Sequence, residues 1–307
     1  MEIIDLLKEA ESRKALAFGI GGGGDIVSTI PIAGFLRHFG FEVYHGSIIW
    51  DRIVVDPKPG PRSLEELESI EVINNTVGIA NVKTRTKDGV TPNIARSARH
   101  FGRVVALDIT KGVAKLAEGI RDFAEKESIS VIIGVDAGGD AISVGFESGV
   151  RSPLADAMCV AALKQVDGIV AVTGFGSDGE LRVEELLLNI SQILANGGFL
   201  GCSSMSKRDY LLMKEVIRDV TTEASLIPVL AYEGEMGLKK LRKGRTALIT
   251  PLSTLIFYFK AKGVFEINEA AKIVEKASNF EEANRLLNAE GILTEYDFER
   301  AVSGLKI

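Results

Sequence analysis

ALAFGIGGGGD, residues 15–25, decides the fold. The apolar run Ala15 to Ile20 ends on Gly21, Gly22, Gly23 and Gly24, and Asp25 follows. From Ile26 to Phe39 the apolar residues take helical spacing. A buried strand, a glycine turn and a helix in that order open a βαβ unit. The same succession recurs along the chain. Glu42 to Ile48, Val104 to Ile109, Val131 to Val135, Gly168 to Thr173, Gly198 to Cys202 and Leu226 to Ala231 all read as short strands. Helical stretches lie between most of them, among them one through Lys126, one at about Pro153 to Gln165 and one from Glu180 to Ala195. Short buried runs alternating with helices predict an α/β fold, a doubly wound, mostly parallel Rossmann-like sheet with helices on both faces. The expected division is a Rossmann-like domain over 1–260 and a helical C-terminal extension over 261–307. Ile53 to Asn93 breaks the rhythm with Pro57, Pro59 and Pro61 and reads as an excursion containing a loop and a hairpin.

Composition narrows the function classes. A net charge of -6 without a basic block argues against nucleic acid as partner. No apolar run reaches the length of a membrane span, and the first residues form an acidic amphipathic helix rather than a secretory signal. The expected location is the cytoplasm. Cys159 and Cys202 stand in apolar surroundings and read as buried core residues. With two cysteines and three histidines, a structural zinc site is disfavoured.

Ligands of open α/β sheets bind beyond the carboxyl ends of the strands. Three such ends carry glycine together with aspartate: Gly21 to Asp25, Asp136 to Asp140, and Gly174 to Asp178. Counted from Gly19 to Gly24, the first matches G-x-G-x-x-G, and its free amides at a helix start suit an anion. An NAD site is the less favoured use of it. No acid closes the second strand in the expected place, and Asp25 would repel an approaching phosphate unless a cation lay between. Asp136 and Asp140 are the expected metal ligands, with magnesium as the candidate ion. Asp140 reads equally well as a helix cap, and for Asp178 the cap is the favoured reading. The expected ligand-binding set is therefore Gly21, Gly22, Gly23, Gly24, Gly138, Gly139, Gly176 and Asp178. Asp25, Asp136 and Asp140 are the expected catalytic groups. Trp50-Asp51-Arg52, the proline loop Asp56 to Arg62, and Glu233 and Glu235 are candidate walls of the site. Thr110, Lys111, Ser203, Ser204 and Ser206 divide evenly between ligand contact and ordinary helix-start roles.

The segments Gly22 to Ser28, Trp50 to Arg52, Asp56 to Arg62, Gly134 to Ala141 and Ser152 to Asp156 resemble domain-of-unknown-function family 1152, found in archaea and some bacteria. The resemblance extends through about Phe259. It implies that the aspartate and glycine loops belong to one shared domain, and it implies no reaction. The leading functional expectation is a magnesium-assisted enzyme acting on a phosphorylated metabolite or nucleotide. A dinucleotide-dependent oxidoreductase and a non-catalytic metabolite sensor are the alternatives. Assembly with a second copy of the chain is left open.

Overall fold

The computed structural model describes residues 2–241 and 244–304. Residues 305–307, the end of the expected C-terminal extension, lie outside the described residues. The strands are β1 Lys14–Gly19, β2 Glu42–Ile48, β3 Leu67–Glu68, β4 Glu71–Val72, β5 Val77–Ala80, β6 Arg85–Thr86, β7 Val104–Leu107, β8 Val131–Ala137, β9 Ile169–Thr173, β10 Phe199–Ser204, β11 Gly237–Lys240, β12 Thr246–Ile249 and β13 Leu255–Lys260. Nine of them form one sheet in the order β10-β13-β9-β8-β1-β2-β7-β5-β4. The centre, β9-β8-β1-β2-β7, is parallel throughout. Antiparallel strands flank it: β13 enters between β9 and β10, and the β4–β5 hairpin is added outside β7. The excursion thus returns to the sheet as its edge.

Alternation along the strands divides the core between two faces. Leu16 and Phe18 of β1 pack with Val170 and Val172 of β9 on one face. The helices Val113–Glu127, Pro153–Gln165 and Val183–Ala195 cover that face. So do the C-terminal helices Ala261–Ile267, Glu269–Val274 and Phe280–Ala289, which share its core. Ala15 and Ala17 point the other way, to Ile3, Leu7, Ile32 and Leu36. Val104 and Ala106 of β7 meet Ile94, Ala98 and Met213 on that same side. A sheet covered on both faces needs apolar residues at successive positions, which is why its strands read as continuous runs.

The helix Pro153–Gln165 is buried along its length from Pro153 to Leu163. Leu163 lies directly over Gly134 of β8, where a Cβ would come within 2.3 Å of its Cδ1. Only glycine allows this close approach of helix to sheet. Local signals fixed several helix starts. Ser206 accepts from the Asp209 amide, and Thr294 and Asp297 exchange bonds as a capping box.

Four expectations need correction. Leu226 to Ala231 is not a strand but the helix Leu226–Tyr232, whose Ile227 packs on Ala247 and Ile249 of the β11–β12 hairpin. A short apolar run has the same appearance in either state. The helix expected from Glu180 begins at Val183, because Asp178 and Glu180 are held in the preceding turn. Asp178 accepts the Glu180 amide two residues on and caps that turn, while Arg182 occupies the N-cap of the helix. Cys159 is buried, but Cys202 is exposed on β10, the edge of the sheet.

Replacing Leu163 by Ala should empty the space over Gly134. Urea unfolding should show a loss of about 2–5 kcal/mol.

Candidate active site at the strand ends

β1 has β2 on one side and β8 on the other, so the chain runs outward in opposite directions from β1. Such a switch point leaves a crevice beyond the carboxyl ends of the two strands. The glycine loop and Asp25 follow β1 there, and Asp136 to Asp140 end and follow β8. Two backbone bonds tie the neighbouring loop to this one. Gly138 N donates to Thr173 O at 2.9 Å, and Gly176 N donates to Gly138 O at 2.7 Å. Gly138 has φ +136, and a Cβ there would lie 2.0 Å from Asp178 Oδ2. Its lack of a side chain lets Asp178 reach across the β8 loop.

The result is a concentration of carboxyl groups. Asp136, Asp140 and Asp156 are buried, and one oxygen of each lies within 4.8 Å of the others. Asp156 comes from the first turn of the helix Pro153–Gln165. Asp178 is buried beside them, and Asp25 is half-buried at the edge. The partners of these groups differ sharply. Asp136 accepts the Ala141 amide at 3.2 Å. Asp25 Oδ2 accepts the Gly21 amide at 3.0 Å. Asp156 is 2% exposed, and neither of its oxygens has a hydrogen-bond donor. Asp178 Oδ2 also lacks one. A Cβ at Gly21 would stand 3.3 Å from both Asp156 oxygens. Glycine therefore keeps the space in front of them clear.

Burial and mutual repulsion both penalise charge here. Burial first, then Asp178 and Asp25, pushes Asp136 well above its ordinary value. Burial, then Asp156 and Glu180, does the same to Asp140. Burial followed by Asp136 and Asp25 raises Asp156, although it stands at a helix N-terminus. Asp25 is raised by burial to about 7, with Arg52 opposing the shift. Asp178 is also raised by burial to about 7. The hydroxyl of Ser152 gives the same indication. It lies 2.8 Å from Glu180 Oε1 and 3.0 Å from Asp140 Oδ2, yet has one hydrogen to donate. A proton on Asp140 would satisfy the second contact.

Other acids around the crevice are seated on donors, with Glu299 Oε1 the one oxygen among them that lacks a hydrogen bond. Glu180 accepts from the Arg151 and Ser152 amides and from Arg245 Nη1. Glu295, on the helix Glu295–Gly304, accepts from the Leu154 and Ala155 amides. Glu299 accepts from Trp50 Nε1 and the Gly60 amide. Arg52 lies among them. Its Nη2 donates to Gly21 O at 2.6 Å, and its guanidinium stands 5.0 Å above the Trp50 ring. Its Nη1 is 3.9 Å from Glu295 and 3.8 Å from Glu299, too far for a hydrogen bond, and has no acceptor.

Asp25, Asp136, Asp140 and Asp178 thus converge as the sequence suggested. The glycines are used differently from one another. Gly21 N serves Asp25, and Gly23 N donates to Trp50 O at 2.8 Å. Gly138 and Gly176 stitch loops together, and Gly139 packs against Leu186. Trp50 and Arg52 wall the crevice. Arg62 is held by Asp56 and staples the proline loop from within. Glu233 stands elsewhere, on the surface with Tyr210 and Lys214. Lys111 pairs with Glu65, and Thr110 with Asp108. Ser203 bonds the Tyr258 hydroxyl.

Sequence reasoning missed Asp156 as a site residue, and also Glu295 and Glu299. Asp156 had left a signal: a single acid in an otherwise apolar helix stretch, which burial makes costly without a purpose. Glu295 lies in the first turn of its own helix, where an acid has an ordinary local explanation.

The fold and this crevice define a class: an α/β protein with an oxygen-only acidic centre at the switch point of its sheet. The chain belongs to the family described as protein of unknown function (DUF1152), whose profile matches residues 16–303 and so includes the C-terminal helices. No curated protein and no solved structure matches it. Among the described residues, no helix is long and apolar enough to cross a membrane.

Raised carboxyl values set the sign of a pH effect. An acid held neutral in the native state gives its full stabilisation below the unfolded value. It loses that stabilisation as pH rises through the native one. For Asp25 and Asp178 the window runs from the model-compound value of 3.8 to about 7. Thermal melts in EDTA should fall across this window, and Asp178→Asn should flatten the fall.

Proposed function

We propose that the crevice binds a divalent cation through Asp136, Asp140 and Asp156, and that the cation brings a small phosphorylated metabolite or nucleotide to an enzymatic site. One observation carries the reading. Asp156 is buried, lacks a donor at both oxygens, and has Asp136 and Asp140 within coordinating reach. A buried carboxylate left unpaired in this way is costly. A cation coordinated by all three would remove the cost. Every candidate ligand atom is a carboxylate oxygen, which favours a hard ion such as magnesium or manganese.

The cation would supply charge neutralisation and polarisation of a bound phosphate oxygen. The chain's own groups take the remaining roles. Arg52, its Nη1 held between Glu295 and Glu299 and its side chain still partly exposed, adds positive charge that would meet an anionic group of the substrate. Asp25, half-buried and with its value near neutrality, takes or gives a proton at the mouth of the crevice. This arrangement favours a transferase or hydrolase over a dinucleotide oxidoreductase. In the glycine loop the Gly21 and Gly23 amides are already spent on Asp25 and Trp50, which leaves a pyrophosphate fewer donors.

Two measurements test this. Isothermal titration with Mn2+ should give one tight site, weakened at least about a hundredfold in Asp156→Asn. Proton release should rise with falling pH, because the ion displaces protons from the carboxyls. Undiminished binding in Asp156→Asn sinks the assignment. In a thermal-shift screen, a phosphorylated compound should raise Tm more with Mg2+ than without it. A panel of sugar phosphates and nucleotides that shifts nothing in either condition would remove the substrate class and leave the cation site standing.

A further inference from the structure

Ser152 occupies the N-cap of the helix Pro153–Gln165, yet its side chain does not cap it. The hydroxyl is turned towards Glu180 and Asp140 instead. The amides of Leu154 and Ala155, unpaired by the helix itself, donate to the two oxygens of Glu295 at 3.1 and 2.9 Å. That carboxyl is supplied from a helix 141 and 140 positions downstream, and it is 5% exposed. The next residue after Ala155 is Asp156. One turn beyond Glu295, the buried Glu299 holds Trp50 and Gly60 on either side of Arg52. A single helix therefore grips both segments that bring polar groups into the crevice from outside the parallel strands.

We propose that Glu295 is the positioning residue of the cation site. Seated on the Leu154 and Ala155 amides, it fixes the first turn of Pro153–Gln165 and so aims Asp156 at Asp136 and Asp140. The proposal rests on the cation reading above. Glu295 acts here through hydrogen bonds to the backbone beside a ligand, as outer-shell partners of metal ligands do. The competing account is that its negative charge alone attracts the ion.

Length and charge separate the two accounts. Glu295→Asp keeps the charge and withdraws the carboxyl by one methylene. Glu295→Gln keeps the reach and one acceptor, and removes the charge. Mn2+ affinity of the full chain is measured by calorimetry for both, with melts in EDTA to confirm folding. Positioning predicts at least about a tenfold loss in Glu295→Asp and a smaller loss in Glu295→Gln. The reverse order, or wild-type affinity in both, overturns it. Should Glu295→Asp not fold, Glu295→Gln decides: affinity within about threefold of wild type supports positioning, and a tenfold loss refutes it. Asp156→Asn separates this failure from that of the parent reading. If Asp156→Asn loses Mn2+ while both Glu295 variants keep it, only the positioning role falls. If the wild type binds no Mn2+, both readings fall.

Discussion

Repulsion among Asp136, Asp140 and Asp156 is the constraint around which the rest of the crevice is built. In water, carboxyl groups at these separations would ionise at little cost. Out of water the cost per ion is several kcal/mol, and a neighbour of like charge adds to it. The group therefore has two economical states: one with protons on some of its members and one with a cation among them. The raised values of all three aspartates express the first state. The missing donors at Asp156 leave room for the second.

The surrounding acids separate into two kinds by their hydrogen bonds. Glu180, Glu295 and Glu299 are buried, but each is seated on backbone amides or a tryptophan N–H. Such bonds to charged acceptors contribute about 1.5–3 kcal/mol each and offset part of the lost hydration, although burial still pushes Glu295 up to about 7 against Arg52 and its amide donors. These groups hold loops and helices in place. Asp156 and one oxygen of Asp178 have no such seat, so no hydrogen bond offsets their burial. The helix dipole favours an ionised Asp156, by about 2 kcal/mol at most. Desolvation outweighs it, which is why its value moves up rather than down.

What the sequence disclosed follows the range of the interaction involved. β1 with its glycines, and β8 with Asp136 and Asp140, were legible because strand, turn and helix start are written in adjacent residues. The convergence of Asp25, Asp136, Asp140 and Asp178 followed from one topological rule about strand ends. Asp156 stands in one of the segments that carry the family resemblance, but the strand-end rule does not reach it, because helix packing rather than a strand end delivers it to the site. Glu295 and Glu299 were harder still. An acid in the first turn of a helix has an ordinary local explanation, and only the tertiary fold turns it towards a different helix. The misassigned segment Leu226 to Ala231 has the same cause in reverse: burial against the β11–β12 hairpin selects a helix that six residues of apolar sequence do not specify.

The cap on the helix Pro153–Gln165 has a kinetic corollary. Its acceptor is 140 positions away along the chain, so closing it requires one of the longer loops in the molecule to form. Loop-closure entropy makes contacts of such separation slower to form than those within the local strand–turn–helix units. The acidic centre would then be completed among the final steps, by docking of the helix Glu295–Gly304. An ion in such a centre is a ligand of the finished fold and not its nucleus, and the chain must solve its own repulsion with protons on the way there.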